Sequence, residues 1–320
     1  MLERVPLLSV VPTPLEPMDR LAGALGLPPD VLFVKRDDLT GVGGGGNKAR
    51  KLEFLAADAR AQGCDTLVTG GGRQSNHVRI TAAVANRLDL GCTVVLSGGE
   101  PSVPTGNVVL DYLLGAEIVW TDAADYYATE EAIARECDRL AAEGRTPYRM
   151  PIGGASTVGA LGYVACALEL TDQLPDLTSV VTADGSGGTH AGLVAGLGDH
   201  AKVLGVDVGT RPDLLDRVPE KAAEAAALAG LPEPIGAVRL DVDRFGPGYG
   251  APTDEALEAL RLAARTEGLI LDPVYTAKAM AGLVHAVRSG DITADDKVVF
   301  VHTGGTPALF ARGYADWVRS

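Results

Sequence analysis

Apolar and polar positions alternate along this chain with two different periods. Short aliphatic and β-branched runs predict strands at Val31–Lys35, Thr66–Thr69, Thr93–Ser97, Glu117–Trp120, Ser179–Ala183, Lys202–Val208, Ile270–Leu271 and Lys297–His302. Between them the period lengthens toward 3.6. Ala49–Gln62 puts Leu52, Leu55 and Ala59 on one face, and Tyr275–Arg288 does the same with Ala279, Leu283 and Val287. Asn107–Leu114 and Ala191–Leu197 read as shorter helices, and Val78 and Ala82 mark another. Strand and helix in alternation predict an α/β protein: open, mostly parallel sheets with helices on both faces. Neither a low-complexity linker nor a repeat of solenoid length divides the chain.

Glycine clusters punctuate this pattern where strands hand over to helices. They are Gly43–Gly46, Gly70–Gly72, Gly153–Gly154, Gly185–Gly188 and Gly304–Gly305, within 40 glycines in all. In open α/β sheets ligands bind beyond the carboxyl ends of strands, so loops of this kind at five places predict a ligand-binding protein.

Composition narrows the class. The 320 residues are 46% hydrophobic and 22% charged, as in an ordinary globular protein. Asp and Glu (42) outnumber Lys and Arg (28), for a net charge of −14. That balance argues against nucleic acid or an anionic membrane as partner. No apolar run reaches the roughly 18 residues of a membrane span. The opening segment, with Glu3, Arg4 and Pro6, lacks the pattern of a signal peptide. Cys64, Cys92, Cys137 and Cys166 form no metal or disulfide spacing, so a cytoplasmic location and no metal are expected.

Five segments carry candidate chemistry. Lys48 follows the four-glycine run and opens a helix, where the helix dipole lowers an amine's pKa and suits it to nucleophilic work, although a solvated surface lysine would look the same. Gly185-Ser186-Gly187-Gly188-Thr189 joins strand to helix and offers free amides and hydroxyls to a phosphate, although a plain βα turn would look the same. It lacks the lysine of a P-loop and the last glycine of a dinucleotide fingerprint. The literal GxGxxG at Gly41–Gly46 follows no strand and is discounted. Ser75-Asn76-His77 opens a helix, with Ser75 a natural N-cap and the free amides a site for a carboxylate. Tyr275, after Asp272-Pro273, can relay a proton or simply pack. Thr303 follows the last strand and is either placed to hydrogen-bond a heteroaromatic nitrogen or part of a solvated turn.

Taken together, these segments resemble the D-cysteine desulfhydrase and 1-aminocyclopropane-1-carboxylate deaminase family, pyridoxal-phosphate (PLP) enzymes of the tryptophan-synthase β-like fold. The resemblance runs from Pro12-Thr13-Pro14 through Lys35-Arg36-Asp37-Asp38, Gly45-Gly46-Asn47-Lys48 and Gln74-Ser75-Asn76-His77. It continues to Phe245-Gly246-Pro247-Gly248-Tyr249-Gly250, Asp272-Pro273-Val274-Tyr275-Thr276 and His302-Thr303-Gly304-Gly305. It implies that Lys48 is the Schiff-base lysine and that Asn76 partners the cofactor's phenolic oxygen. Gly185, Ser186, Gly187, Gly188 and Thr189 would hold the phosphate with Lys51 assisting, and Thr303 would face the pyridine nitrogen. Ser75, Asn76 and His77 would bind the substrate carboxylate, and Tyr249 and Tyr275 would line the reacting side. It further implies a homodimer, with a large domain of residues 1–50 and 160–320 and a small inserted domain of residues 51–159.

Within that family the deaminases resemble Gln-Ser-Asn-Gln, with Glu after Val-Tyr. His77 and Thr276 stand at those positions here, as in the desulfhydrases, and Gly187–Leu193 points the same way. The implied reaction is β-elimination from a small amino acid, D-cysteine first, giving sulfide, pyruvate and ammonia. L-Cysteate sulfo-lyase, cyclopropane ring opening and β-replacement are the alternatives, and a PLP- or amino-acid-binding protein without turnover is the non-enzymatic one. Arg73 departs from the family, which has a small or apolar residue there. It would either recruit a second acidic group on the substrate or make a surface ion pair.

Overall fold

The computed structural model describes residues 3–311 and 313–319. Its strands are β1 (Leu15–Pro17), β2 (Leu32–Lys35), β3 (Thr66–Gly72), β4 (Gly91–Ser97), β5 (Glu117–Thr121), β6 (Pro147–Arg149), β7 (Ser179–Asp184), β8 (Val203–Asp207), β9 (Arg239–Asp241) and β10 (Val298–Val301). The helices are α1 (Asp19–Ala24), α2 (Lys48–Ala61), α3 (Asn76–Leu88), α4 (Asn107–Leu113), α5 (Tyr126–Ala142) and α6 (Thr157–Gln173). They continue with α7 (Gly188–Leu197), α8 (Leu214–Ala229), α9 (Asp254–Glu267), α10 (Thr276–Ser289), α11 (Thr306–Leu309) and α12 (Tyr314–Arg319).

Two sheets result. One runs β1-β2-β10-β7-β8-β9, parallel except for the β1–β2 pair; the other runs β5-β4-β3-β6, parallel throughout. This is the α/β architecture that the alternation predicts. The central strands are buried on both faces, as parallel strands under helical layers must be. Successive residues of β10 show it. Val298 and Phe300 pack with Leu283 of α10 and Leu260 of α9, whereas Val299 and Val301 pack on the opposite face with Tyr163 and Leu170 of α6. Burying Phe300 alone stabilises the fold by roughly 1.5–3 kcal/mol relative to exposing it.

Helix α2 joins the two halves. Its Leu52, Leu55 and Ala59 meet Ile80 and Val84 of α3, while Phe54 packs on Leu161 and Val164 of α6. The α2–α6 contact is close because Gly162 carries no side chain. A Cβ there would lie 2.4 Å from the Arg50 carbonyl oxygen and 2.7 Å from the Lys51 nitrogen.

One predicted strand is absent. Leu271 is buried, but Ile270–Leu271 pairs with no strand among the described residues, and β10 is already bonded on both edges by β2 and β7. The pair instead leads into a turn gathered by Asp272, whose carboxylate accepts from the amides of Val274, Tyr275 and Thr276 at 2.8–3.0 Å. The three-residue strands β1, β6 and β9 gave no sequence signal. Among the described residues, no helix is long and apolar enough to cross a membrane.

Candidate active site

A cavity of about 430 Å³ opens between the carboxyl ends of the two sheets. Gly71 and Gly72 of β3, Ser97 of β4 and Asp184 of β7 reach it, as do Thr210 beyond β8 and Thr303 beyond β10. It therefore lies where parallel sheets bind ligands.

Lys48 is the first residue of α2 and lines this cavity. The glycine run before it adopts positive φ at Gly43 through Gly46, and a Cβ on Gly45 would lie 2.0 Å from the Asp38 carbonyl. Only glycine passes so close, and the tight path delivers Asn47, whose amide donates to the Thr303 carbonyl at 3.0 Å. No hydrogen bond occupies the Lys48 amine among the described residues. Burial pushes its pKa down to about 8, against a smaller upward pull from the Asp184 carboxylate. Lys51, one turn on, is buried behind the wall, donating to the Gly153 carbonyl at 3.2 Å. Burial, with the neighbouring Lys48 charge, holds its pKa well below the usual lysine range.

The loop Gly185–Thr189 lies over Lys51. Gly187 adopts φ 87° as the N-cap of α7, a left-handed conformation that suits glycine. The backbone amides of Ser186, Gly187, Gly188 and Thr189 find no acceptor among the described residues. Space around the loop is kept by missing side chains: a Cβ on Gly188 would sit 2.9 Å from Lys51 Nζ, and one on Gly153 would sit 2.4 Å from Ser186 Oγ. Asn47 Nδ2 donates to Thr189 Oγ1 at 3.1 Å, tying the loop to the start of α2.

Ser75 caps α3, its Oγ accepting from the Val78 amide at 3.3 Å, as the sequence predicts. The amides of Asn76 and His77 are without acceptors among the described residues. Both ring nitrogens of His77 are buried and have no partner among the described residues. Burial, reinforced by the charges of Lys48 and Lys51, lowers the His77 pKa well below the usual histidine range, so the ring is neutral. Across the cavity, the hydroxyls of Tyr249 and Tyr275 meet at 2.5 Å with their rings edge to face. Tyr249 exposes 39% of its surface at the cavity mouth, yet burial around its hydroxyl raises its pKa to about 12. Burial also raises that of Tyr275, to well above the usual range. Both remain protonated near neutral pH.

Lys48, Ser75, Asn76, His77, Gly185, Ser186, Gly187, Thr189, Tyr249, Tyr275 and Thr303 thus line one cavity, although the chain separates them by as much as 255 positions. Gly188 and Lys51 stand directly behind the wall. Arg73 does not join them: it is exposed and donates from Nε to the Gly99 carbonyl at 2.9 Å, outside the lining. Sequence reasoning missed Asp184, a buried cavity carboxylate held 2.7 Å from His190 Nδ1. Its place at the end of a strand, just before a glycine cluster, was a usable signal. It also missed Tyr126 of α5, which lines the mouth under Arg211 at 4.7 Å, a contact with no sequence signal.

Comparison with known proteins adds three findings. The family model described as pyridoxal-phosphate dependent enzyme matches residues 7–304. The chain is 44% identical to the D-cysteine desulfhydrase of Klebsiella pneumoniae (strain 342) over 97% of both chains. It is 45% identical to that of Yersinia pestis (strain Pestoides F) over 93% of both. Among solved structures, an ACC deaminase homologue superimposes with a TM-score of 0.90 at 37% identity, covering 99% of this chain and 95% of that one.

Proposed function

The chain belongs to the pyridoxal-phosphate dependent enzymes, and from that premise we propose that it eliminates the β-substituent of a cysteine-like amino acid. D-Cysteine is the foremost substrate, and with one water it yields sulfide, pyruvate and ammonia. The observation that carries this reading is the convergence, in one cavity, of an unbonded amine, a loop of free amides and a pair of protonated tyrosines. Relatives bearing the desulfhydrase name over nearly the whole length point the same way.

The residues present fit PLP. Four amides without acceptors at the start of α7, in a cradle that a Cβ on Gly153 or Gly188 would fill, suit a phosphate, with Lys51 behind them. Lys48 is the amine that would hold the aldehyde carbon. Asn76 would meet the phenolic oxygen, and Thr303 the pyridine nitrogen. When bound, the cofactor supplies an electron sink for the pair left on the substrate's Cα.

The chain's own groups do the rest. The amides of Asn76 and His77 at the α3 N-terminus, with Ser75, receive the substrate carboxylate. Lys48 Nζ accepts the Cα proton; with its pKa lowered to about 8, a useful fraction is free base near neutral pH. Tyr275 and Tyr249, kept protonated by burial, donate a proton to the departing sulfur. His77 lines the cavity as a neutral ring and so adds no charge beside the substrate's side chain.

The two sheets serve as two domains. The first draws its strands from residues 15–35 and 179–301 and the second from 66–149, which supports a large domain of 1–50 and 160–320 and a small inserted one of 51–159. The protein works in the cytoplasm as a homodimer. Its four cysteines are unpaired thiols, and Leu113 (77% exposed) with Tyr112 and Val109 leaves an apolar face of α4 uncovered.

Product analysis tests the reaction. PLP-loaded protein is given D-cysteine, L-cysteine, L-cysteate and 1-aminocyclopropane-1-carboxylate in parallel, and pyruvate, sulfide and 2-oxobutyrate are measured. Equal amounts of pyruvate and sulfide from D-cysteine are expected. Turnover confined to L-cysteate, or 2-oxobutyrate from the cyclopropane, would overturn the proposal. A new amino acid formed when thiols are added, with no pyruvate, would replace it with β-replacement.

A further inference from the structure

The worth of Asn76 at the cofactor depends on which end of its amide faces the cavity. Nδ2 donates and Oδ1 accepts, and the two ends have nearly the same shape. Here the choice is imposed from outside the cavity, by a residue of α4.

Asn107 is fully buried at the first position of α4. Its Nδ2 donates to the backbone carbonyl of Gln74 at 2.9 Å. A carbonyl oxygen only accepts, so this contact settles which end of Asn107 is the amine. The same Nδ2 donates to Asn76 Oδ1 at 2.8 Å. Both hydrogens of that group are then used, and Asn76 has its acceptor turned away toward α4. Its Nδ2 is left to the cavity that Asn76 lines.

Gln74 is locked by the same logic. Its Oε1 accepts from the Asn107 backbone amide at 2.8 Å, and its Nε2 donates to the Thr105 carbonyl at 3.0 Å. The chain must pass very near this amide: a Cβ on Gly106 would lie 2.3 Å from Gln74 Oε1, and Gly106 has φ 59°. Asn107 meanwhile leaves its own Oδ1 buried without a partner among the described residues. Its hydrogen bonding is directed to holding Gln74 and Asn76, not to satisfying itself.

We propose that Asn107 is a positioning residue that holds Asn76 as a hydrogen-bond donor toward the phenolic oxygen of PLP. The proposal rests on the assignment of Asn76 made above. Every orientation in the chain follows from a backbone carbonyl or amide whose polarity is not in doubt. A donor at the phenolic oxygen favours its anionic form and lowers the proton affinity of the conjugated nitrogen. Losing that donor therefore raises the pH at which the visible band of the bound cofactor changes.

The test is a double-mutant cycle on the holoenzyme. Asn107→Asp keeps the shape and removes the donors, and Asn107→Leu removes the polarity as well. Each is made in the wild-type and in the Asn76→Ala background, with two readouts: PLP affinity and the pH midpoint of the visible band. In the wild-type background, either change is expected to weaken PLP binding about tenfold and raise the midpoint by about one pH unit, as loss of one buried hydrogen bond would. In the Asn76→Ala background, the loss of affinity should fall below about twofold and the midpoint shift below about 0.3 pH unit. Equal losses in the two backgrounds, or no loss in either, would overturn the proposal. If Asn76→Ala alone left affinity and midpoint unchanged, the assignment of Asn76 itself would fail, which is a separate result.

Discussion

At the scale of single residues, the site depends on what burial does to a few charges. Lys48 has no hydrogen-bond partner among the described residues; its burial favours the neutral amine, and Asp184 only partly restores the charge. The free amine is the form that captures an aldehyde. Loading of the apoprotein with PLP should therefore accelerate as pH rises through about 8. An ordinary lysine would show the rise near 10.4. Stopped-flow absorbance across that range reads the midpoint. Tyr275 offers the complementary test. Its raised pKa keeps a proton available, so Tyr275→Phe should lower kcat about a hundredfold or more with little change in KM. A rise in KM at constant kcat would mean that the hydroxyl only binds substrate.

Some of this was readable beforehand. Ser75 as a cap follows from a serine at a strand-to-helix turn, and Lys48 from the glycine run that lets the chain pass Asp38. Asn107 was not readable, because its role lies in hydrogen bonds to residues 31 and 33 positions away.

At the scale of elements, close backbone approach holds the site's framework. Lys48 and Lys51 ride on α2, and α2 is set by its contact with α6 at Gly162. Gly162→Ala must push backbone against backbone, and should destabilise the protein by about 1–3 kcal/mol. Gly23→Ala in α1 is the contrast. A Cβ there meets nothing within 4 Å, so the change should be neutral or stabilising by up to about 1 kcal/mol. Urea denaturation of both variants checks the pair, and equal effects would contradict the account. Strands such as β10 and the Ser179–Ala183 stretch of β7 were legible because both faces are buried and their positions are apolar or small. β1, β6 and β9 were not, since three residues are too few to display a period. Ile270–Leu271 misled for a related reason. Apolar residues can line a buried turn as well as a strand, and only the pairing of β10 tells them apart.

At the scale of the whole molecule, the cavity exists because two sheets aim their carboxyl ends at the same space. Composition and periodicity indicated the sheets, but they could not say that Tyr249 would lie beside Gly72. A Cβ on that glycine would be 3.4 Å from the tyrosine ring. That convergence came from the family resemblance, and the geometry now gives it physical content. Its centre is the proposal that Lys48 is the point of attachment for PLP. The most direct measurement is borohydride reduction of the PLP-loaded protein, followed by proteolysis and mass spectrometry. The account predicts a single phosphopyridoxyl adduct, on Lys48. An adduct on Lys51, or on no lysine of the cavity, would contradict it.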